Sequence, residues 1–363
     1  MRILYISRKH PPSVGGMEKV SYEIYSRLSK MAKVSPVIWG GSTKWLFVVI
    51  PFFVLKSIYI LLTKKIDIIY IADGSISPLM FFLMIFKKPT IITIHALDIT
   101  YNNWFYQLII PRYVRKANKV ICVSSYTRDE CRKRGVSNDN IIVIKNGISD
   151  DYFIKNKNID ELRNEIEKII DVSLKNKKIM LSTGRLIERK GFHWFIKEVI
   201  PEISKTRKDF IYIIAGSGKF ENKIKTTIVD NNLERLVYPT GQVSSDTLKK
   251  LYNCADVFIM PNIKVEGDAE GFGLVALEAA SCGLPVVASD LEGIKDALED
   301  YKLGYLIAPS DKIKYANIIG YLLEKDEILN SDIEKSRNVI LENYNWNTIA
   351  TKYFKEFDKI IIS

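Results

Sequence analysis

The sequence has few of the side chains that bind metal ions or form disulfides. Only 3 histidines and 4 cysteines occur among 363 residues. The cysteines show no Cys-x-x-Cys or other metal-ligand spacing, which argues against a structural zinc site. We expect reduced thiols in a cytosolic protein at Cys122, Cys131, Cys254 and Cys282.

Three further patterns are missing from the sequence. Asp-x-Asp, which can hold a divalent cation on a diphosphate, occurs nowhere. The glycines near the amino terminus do not form Gly-x-Gly-x-x-Gly, which argues against a dinucleotide dehydrogenase. No charged leader precedes the strand-like run at 3–7, so we do not expect secretion.

Positive charge is concentrated in the first part of the chain. Residues 1–148 contain 22 Lys and Arg against 8 Asp and Glu, whereas the remainder contains 31 against 34. Such a basic half favours contact with acidic phospholipid, a lipid pyrophosphate or nucleic acid. A basic surface that only contacts solvent explains the same numbers, and both interpretations stay open.

Short apolar runs alternate with helical patterns, as in βαβ units around a parallel sheet. The runs are 3–7, 34–39, 68–72, 90–95, 120–124 and 141–144, then 178–183, 210–215, 237–240, 257–260 and 285–289. We therefore predict an α/β fold with two Rossmann-like parallel-sheet domains, as the length also favours. The Asn-Gly turn at 146–147 puts the junction there, giving domains 1–148 and 149–344. Residues 345–363 are predicted to form a final helix that packs on a domain surface.

The run at 45–62 is interrupted only by Pro51, Lys56 and Ser57. Its length is slightly below the roughly 20 apolar residues of a membrane span. Because it lies between two predicted strands of one sheet, we favour a buried or half-buried crossover helix. The alternatives are a helix that lies on a membrane surface and a helix that spans the membrane.

The segment from Glu270 to Glu278 follows the predicted strand 257–260 and opens a helix. Gly271 and Gly273 allow close approach of the backbone to a ligand, and the free amides of a helix start favour an anion. Glu278 then lies within reach of a ribose, and Glu270 within reach of a sugar beyond the diphosphate. An ordinary charged loop with a glycine cap is the alternative.

Two other strand ends carry candidate side chains. Arg185 and Lys190 follow the strand 178–183, at the end of an open α/β sheet where ligands bind, and could clamp a diphosphate. His95 ends another apolar strand and could hydrogen-bond a sugar hydroxyl. The alternatives are a solvated basic loop and a buried histidine that is satisfied by the backbone. The pair Gly15-Gly16 is the weakest signal, since turns often contain two glycines.

Together these residues resemble the retaining GT-B glycosyltransferases of the large group that contains bacterial mannosyl- and glucosyltransferases. The likeness covers nearly the whole chain. Its motifs are Pro-Pro-x-x-Gly15-Gly16-x-Glu18, Thr-x-His95, Val123-Ser124, Lys145-Asn146-Gly147-Ile148, Gly184-Arg185-x4-Lys190-Gly191, Ala215-Gly216-x-Gly218 and Glu270-Gly-Phe-Gly with Glu278.

The resemblance implies two Rossmann-like domains that face a central cleft, the first for the acceptor and the second for a nucleotide-sugar donor. It implies that the final helix packs back on the first domain. The residues that it marks as catalytic are His95, Glu270, Arg185 and Lys190. Those that it marks as donor-binding are Gly15, Gly16, Gly184, Gly216, Gly218, Val243, Gly271, Phe272, Gly273, Leu274 and Glu278.

The resemblance also implies a hexosyltransferase that retains anomeric configuration and needs no metal ion and no cofactor, the nucleotide diphosphate sugar being a co-substrate. The acceptor would be a glycan or a lipid-linked sugar in cell-surface polysaccharide or glycolipid synthesis. We expect a cytoplasmic protein, peripheral at the inner face of the cell membrane, with its basic first domain on the anionic surface and no nucleic-acid partner. A non-catalytic sugar-nucleotide-binding subunit of a glycan assembly complex and a sugar-nucleotide epimerase of the same fold are the alternatives.

Overall fold

The computed structural model describes residues 1–42, 45–155, 158–324 and 330–362, and divides them into two compact units. The first unit contains residues 1–147, 266–272 and 344–363, and the second contains 148–265 and 273–343. The break after Gly147 lies one residue before the expected junction. The segment 266–272 lies in the first unit, which differs from the expected boundaries.

Each unit contains one parallel six-stranded sheet, so the predicted fold class of two α/β sheets is confirmed. The strands of the first sheet are β1 Arg2–Ser7, β2 Lys33–Ile38, β3 Ile68–Ile71, β4 Thr90–Ile94, β5 Lys119–Cys122 and β6 Ile141–Val143. Those of the second are β7 Lys178–Thr183, β8 Phe210–Ala215, β9 Val237–Gly241, β10 Val257–Met260, β11 Val286–Ser289 and β12 Gly304–Ile307. The spatial orders are β2-β1-β3-β4-β5-β6 and β12-β11-β10-β7-β8-β9.

Helices connect the strands within each sheet, as is usual for parallel pairing, and further helices join the two sheets and follow the last strand. In chain order they are α1 Gly16–Met31, α2 Leu46–Thr63, α3 Met80–Leu83, α4 Leu97–Thr100, α5 Trp104–Val114, α6 Ser125–Lys133, α7 Ile159–Ile170, α8 Phe192–Glu198, α9 Ile200–Ser204, α10 Glu221–Asp230, α11 Ser245–Cys254, α12 Leu274–Ser281, α13 Ile294–Leu298, α14 Lys312–Glu324, α15 Asn330–Tyr344 and α16 Trp346–Ile362. Two 3-10 helices, Gly74–Leu79 and Met84–Phe86, flank α3.

The final helix α16 packs within the first unit. Its apolar side, including Tyr353 and Phe357, is buried, and both rings lie against Tyr70 of β3, with ring centroids 6.0 and 5.1 Å away. Arg27 of α1 also donates a hydrogen bond to Asn347, 3.0 Å away. The first unit therefore includes the end of the chain as part of its own core.

Helix α2 corresponds to the run at 45–62, for which the sequence left two interpretations open, a crossover helix and a membrane helix. It is the one helix in the described ranges that is long and apolar enough, by length and composition, to cross a membrane. Since β2 and β3 run parallel in one sheet, α2 must return the chain to the edge where strands begin. It does so with Val49, Phe53 and Ile60 buried in the core of that sheet.

Candidate active site

The two central strands β7 and β10 of the second sheet mark the point where its strand order reverses. The chain proceeds from β7 to β8 and β9 on one side, then returns to β10 on the other. A crevice forms outside the carboxyl ends of strands at such a switch point, and ligands of open α/β sheets bind there. The loop 184–191 follows β7 directly and therefore begins at this position.

Lys190 and Arg185 both lie in this loop but differ in burial. Lys190 is only 7% exposed, and a side chain at Gly184 would begin 3.5 Å from its Cε and 3.9 Å from its Nζ. Arg185 is exposed. The structure thus brings the Lys190 ammonium group to the carboxyl end of β7, with an exposed guanidinium in the same loop.

Glu278 is 6% exposed on α12, and each of its carboxylate oxygens accepts a hydrogen bond from a tyrosine. Tyr152 donates to Oε1 at 2.7 Å and Tyr252 to Oε2 at 3.1 Å. Burial, followed by the charge of Glu278, raises the pKa of both tyrosine hydroxyls, so they remain protonated donors. Thr183, the last residue of β7, lies 2.8 Å from the Tyr252 hydroxyl. The carboxylate is therefore linked to the strand end that precedes Gly184.

The glycine-rich segment before α12 has the predicted position. Gly273 is the N-cap residue of α12 with φ +88°, a conformation that favours glycine. Leu274 begins the helix, and Met260 at the end of β10 lies beside Gly273. Phe272 is buried, with its ring 6.4 Å from that of Tyr344. The amino end of α12 thus lies next to the carboxyl end of β10.

Gly216 and Gly218 pack the loop after β8 against the loop after β7. A side chain at Gly216 would meet the carbonyl oxygen of Gly184, and one at Gly218 would meet that of Leu186. The two loops are further joined by the hydrogen bond from the Leu186 amide to the Ser217 carbonyl, 2.9 Å. These glycines have a packing role whether or not they contact a donor. Val243 is half-buried and follows β9, so it lies at the edge of the sheet where the other strands also end.

His95 follows β4 in the first unit, as predicted, and is 9% exposed. Its Nε2 lies 3.1 Å from the carbonyl oxygen of Ala72. Because a carbonyl only accepts, Nε2 carries the proton, and Nδ1 is the nitrogen left for another partner. The next residue, Ala96, has φ +68°, a strained conformation for alanine of the kind that clusters at functional sites.

A cluster of charged residues lies beside His95 and fixes its backbone. The Asp98 carboxylate accepts from the amides of His95, at 3.1 Å, and Gly74, at 3.2 Å. Burial raises the pKa of Asp98 to about 6, and the nearby Asp73 carboxylate adds to the rise. Arg8 Nε lies 2.6 Å from Asp73. Sequence inspection missed this cluster, because its members are single polar residues that follow three different strands.

The segment 266–272, which carries Glu270, packs within the first unit. A side chain at Gly271 would begin 2.7 Å from the His95 carbonyl oxygen, and one at Gly267 2.5 Å from Asn102 Cβ. Only residues without a side chain allow this approach, which is why the segment joins the first unit rather than the domain expected from the sequence. The segment that carries Glu270 is thereby brought to the strand end at His95.

Gly15 and Gly16 begin α1, with Gly15 as the N-cap residue. A side chain at Gly15 would meet the carboxylate of Glu18, which is paired with Lys9 at 3.0 Å. The predicted anion position therefore has a carboxylate of the chain itself beside it. Among the residues that the structure describes, no group of three or more His, Cys, Asp or Glu side chains is arranged to hold a metal ion.

Two protein-family descriptions match the chain, one in each half. "Glycosyl transferases group 1" matches residues 165–339, and "Glycosyltransferase Family 4" matches residues 14–152. The chain belongs to the glycosyl transferases group 1. The first match covers the switch point of the second sheet, with Lys190 and Glu278, and the second covers His95.

Curated relatives of this group 1 protein match parts of the chain. An uncharacterised glycosyltransferase of Methanocaldococcus jannaschii is 30% identical over 233 residues, which are 64% of this chain and 57% of the relative. The GDP-mannose-dependent alpha-(1-6)-phosphatidylinositol monomannoside mannosyltransferase of Mycolicibacterium smegmatis is 29% identical over 178 residues, 48% of this chain and 46% of the relative. The chain thus spans about half the length of such relatives.

Solved structures establish that the fold of this group 1 protein is GT-B. HepE of Anabaena, in complex with UDP-glucose, has a TM-score of 0.79 at 19% identity, covering 99% of this chain and 100% of that one. Sucrose-phosphate synthase of Thermosynechococcus elongatus has a TM-score of 0.80 at 19% identity, covering 99% of each chain.

One glycine of the site has a matched control elsewhere in the same unit. Gly191 has φ +67° and faces the Pro261 carbonyl, whereas Gly241 has φ +71° and open space within 4 Å of where a Cβ would lie. Both replacements by alanine cost about 1–2 kcal/mol for the backbone conformation. We expect Gly191→Ala to cost about 2 kcal/mol more, from the steric conflict. Urea unfolding measures both, and equal costs would contradict the close packing of this loop.

Proposed function

We propose that this group 1 protein transfers a hexose from a nucleotide diphosphate sugar to a glycan or lipid-linked acceptor, with retention of anomeric configuration. The observation that carries the proposal is the gathering of Lys190, Gly184 and Glu278 at the switch point of the second sheet, beside the amino end of α12. Cation, helix amides and carboxylate match the diphosphate and ribose of one donor.

In the proposed reaction the nucleoside diphosphate departs and gains negative charge. Lys190, Arg185 and the free amides of α12 stabilise that charge, which begins to develop in the transition state and is absent from the bound donor. The acceptor hydroxyl attacks the reacting carbon of the sugar from the face that the nucleoside diphosphate leaves. A phosphate oxygen of the leaving group takes the proton of that hydroxyl. The proposal requires neither a nucleophilic carboxylate nor a divalent metal ion, since these cations and amides neutralise the diphosphate.

His95 and Glu270 contact the transferred sugar in the proposed complex. His95 contributes Nδ1 as an acceptor from a sugar hydroxyl, because Nε2–H is already donated to Ala72. Asp98 fixes the backbone of His95 and acts as a positioning residue. The amides of Phe272 and Gly273 complete the donor contacts.

The acceptor is proposed to lie at a membrane, in cell-surface polysaccharide or glycolipid synthesis. The name of the M. smegmatis relative specifies GDP-mannose and a phosphatidylinositol-linked acceptor, which supports this class of substrates. The positive charge of residues 1–148 favours an anionic surface nearby. We accordingly propose a cytoplasmic protein that is peripheral at the inner face of the cell membrane.

The donor is tested with a panel of nucleotide diphosphate sugars, each added to the full chain with and without EDTA. A true donor binds the native state and raises the melting temperature, by an amount that excess EDTA leaves unchanged. It is also slowly hydrolysed, and the released sugar first appears in the anomeric form of the donor, as read by NMR. Absence of both stabilisation and turnover for every donor would overturn the proposal.

The same panel distinguishes the alternatives. A non-catalytic subunit would be stabilised by a nucleotide sugar without hydrolysis or transfer. An epimerase would convert the sugar of the donor without any acceptor. Either result would replace the transferase assignment while leaving the nucleotide-sugar site in the second unit.

A further inference from the structure

Helix α2 has apolar residues on two opposite sides. Val49, Phe53 and Ile60 are buried against the first sheet. The opposite side has a second apolar stripe at helical spacing, 50–72% exposed: Val48, Phe52, Leu55, Tyr59 and Leu62. A helix on the surface of a soluble domain normally has polar residues on its outward side. The outward side of α2 is therefore suited to contact something other than water.

The neighbouring segments continue this apolar outward side. Phe81 and Ile85, in α3 and the following 3-10 helix, are 65% and 79% exposed, and Trp104 and Leu108 of α5 are 78% and 64% exposed. The inward residues of all three segments pack in one core, on the same side of the first sheet. The exposed apolar side chains of 47–62, 81–85 and 104–108 thus lie on the outer side of the helices that cover this side of the sheet, and we call them the outer apolar surface.

The outer apolar surface is too large for chance exposure. It contains thirteen large apolar side chains, each at least 45% exposed. At roughly 50–100 Å² each they amount to on the order of 1000 Å², whereas the largest apolar patch of a soluble monomer is about 300–600 Å².

Basic residues border this surface where its helices end. Lys64-Lys65 follow α2, Lys87-Lys88 follow the 3-10 helix after α3, and Arg115-Lys116 follow α5. All these ends lie at the edge where the strands of the sheet begin. A cavity of about 860 Å³ at this edge is lined by four lysines, Lys87, Lys88, Lys116 and Lys119, by Asp67, and by Met80 and Met84.

Carboxylates do not balance these cations. Residues 45–119 contain nine Lys and Arg but only three acidic residues. Asp67 is paired with Arg2, Asp73 with Arg8, and Asp98 is buried beneath His95. The border of the outer apolar surface is therefore strongly positive and fits a layer of negative groups.

We propose that the outer apolar surface inserts into an anionic lipid bilayer, with α2 lying in the membrane plane and the bordering lysines contacting lipid phosphates. Apolar and aromatic side chains enter the boundary of the acyl region, and long basic side chains reach the headgroups. Lysine is depleted at protein–protein interfaces relative to the rest of the protein surface, so a border rich in lysine favours a bilayer over a partner protein. The inference rests on the proposed membrane location and deepens it, by naming the surface and by adding insertion to charge attraction.

The test is sedimentation of the full chain with sucrose-loaded vesicles of phosphatidylcholine containing about 30% phosphatidylglycerol, which imitates the anionic surface of a cytoplasmic leaflet. The variant replaces Leu55, Leu62 and Ile85, which are 69%, 72% and 79% exposed, by Gln. We expect its partition coefficient to fall at least about tenfold. The matched control, Ile159→Gln with Val229→Gln and Ile313→Gln, changes three exposed apolar residues of the second unit and should bind like the parent.

The basic border has its own variant. Lys87→Gln with Lys88→Gln should weaken binding to the anionic vesicles several-fold, roughly threefold to tenfold, and leave any binding to pure phosphatidylcholine unchanged. Lys175→Gln with Lys208→Gln, two exposed lysines of the second unit, is the control. High salt should reduce binding of the parent without abolishing it, because insertion is not screened. Complete loss in salt would overturn insertion.

Two other results would also overturn the inference. One is a parent chain that stays in the supernatant with the anionic vesicles. The other is a parent chain that forms a dimer without lipid, which the Leu55, Leu62 and Ile85 variant converts to a monomer; this result would assign the surface to another copy of this chain. Stabilisation by nucleotide sugars is measured on the same variants and should be unchanged, so failure of the membrane inference and failure of the proposed transferase are distinguishable.

Discussion

Replacing Glu278 by glutamine is expected to weaken the binding of a nucleoside diphosphate about 10- to 100-fold. A hydrogen bond to a charged group contributes about 1.5–3 kcal/mol, and the neutral amide accepts ribose hydroxyls less strongly. Glutamine keeps an oxygen that can accept from Tyr152 or Tyr252, so the change in local packing is small. Isothermal titration calorimetry with UDP, GDP and ADP measures the loss.

Tyr152→Phe is the matched control for this prediction. It removes one donor to Glu278 but leaves the carboxylate in place to accept from ribose. We expect its affinity for the nucleotide to stay within about threefold of the parent, the size of a small hydrogen-bond effect. Unchanged affinity in Glu278→Gln would contradict the ribose role. Equal losses in both variants would assign the effect to the tyrosine–glutamate pair instead of to direct contact.

The two parallel sheets were predictable because both faces of such sheets are buried, so each central strand is a nearly continuous apolar run. The expected runs at 178–183, 210–215 and 257–260 coincide with β7, β8 and β10. Strand β12, Gly304–Ile307, was missed. It is short and lies at the edge of the second sheet, half-buried over three of its four residues, so its pattern is weak.

The glycine-rich turn before α12 was predictable as well, because its signal is local. A strand, two glycines and a helix follow one another along the chain, and the structure has them in that order. The tyrosines that hold Glu278 left no such signal. Tyr152 is 126 positions away from Glu278 in the sequence, and only the packing of its segment against α11 and α12 brings it close.

The exposure of the outward side of α2 could not be predicted from the sequence. Its pattern indicates an apolar helix, and the order of the strands requires a crossover at this position. Periodicity alone does not determine whether the second apolar stripe of this helix is covered, because that depends on which segments of the fold pack beside it. The segments beside α2 are short and apolar themselves, so they extend the exposed surface instead of covering it.

Replacing Lys190 by methionine is expected to lower kcat about 100- to 1000-fold while the dissociation constant of the donor rises less than about tenfold. The reason is that the ammonium group stabilises charge that develops as the nucleoside diphosphate leaves, and removal of one such preorganised group costs about 3–4 kcal/mol. Methionine keeps an unbranched chain in the space beside Gly184, where Lys190 is 7% exposed. Donor hydrolysis or transfer gives kcat, and calorimetry gives the dissociation constant.

The control Lys208→Met removes a lysine that is exposed before β8 and should leave both constants unchanged. The mechanism is read from the ratio of the loss in kcat to the loss in donor affinity. An interaction that is equally strong in the bound donor and in the transition state changes affinity without changing kcat. If Lys190→Met weakens donor binding as much as turnover, the lysine holds the ground-state diphosphate. Its position at the end of β7 would then explain affinity, and the α12 amides with Arg185 would have to stabilise the leaving group.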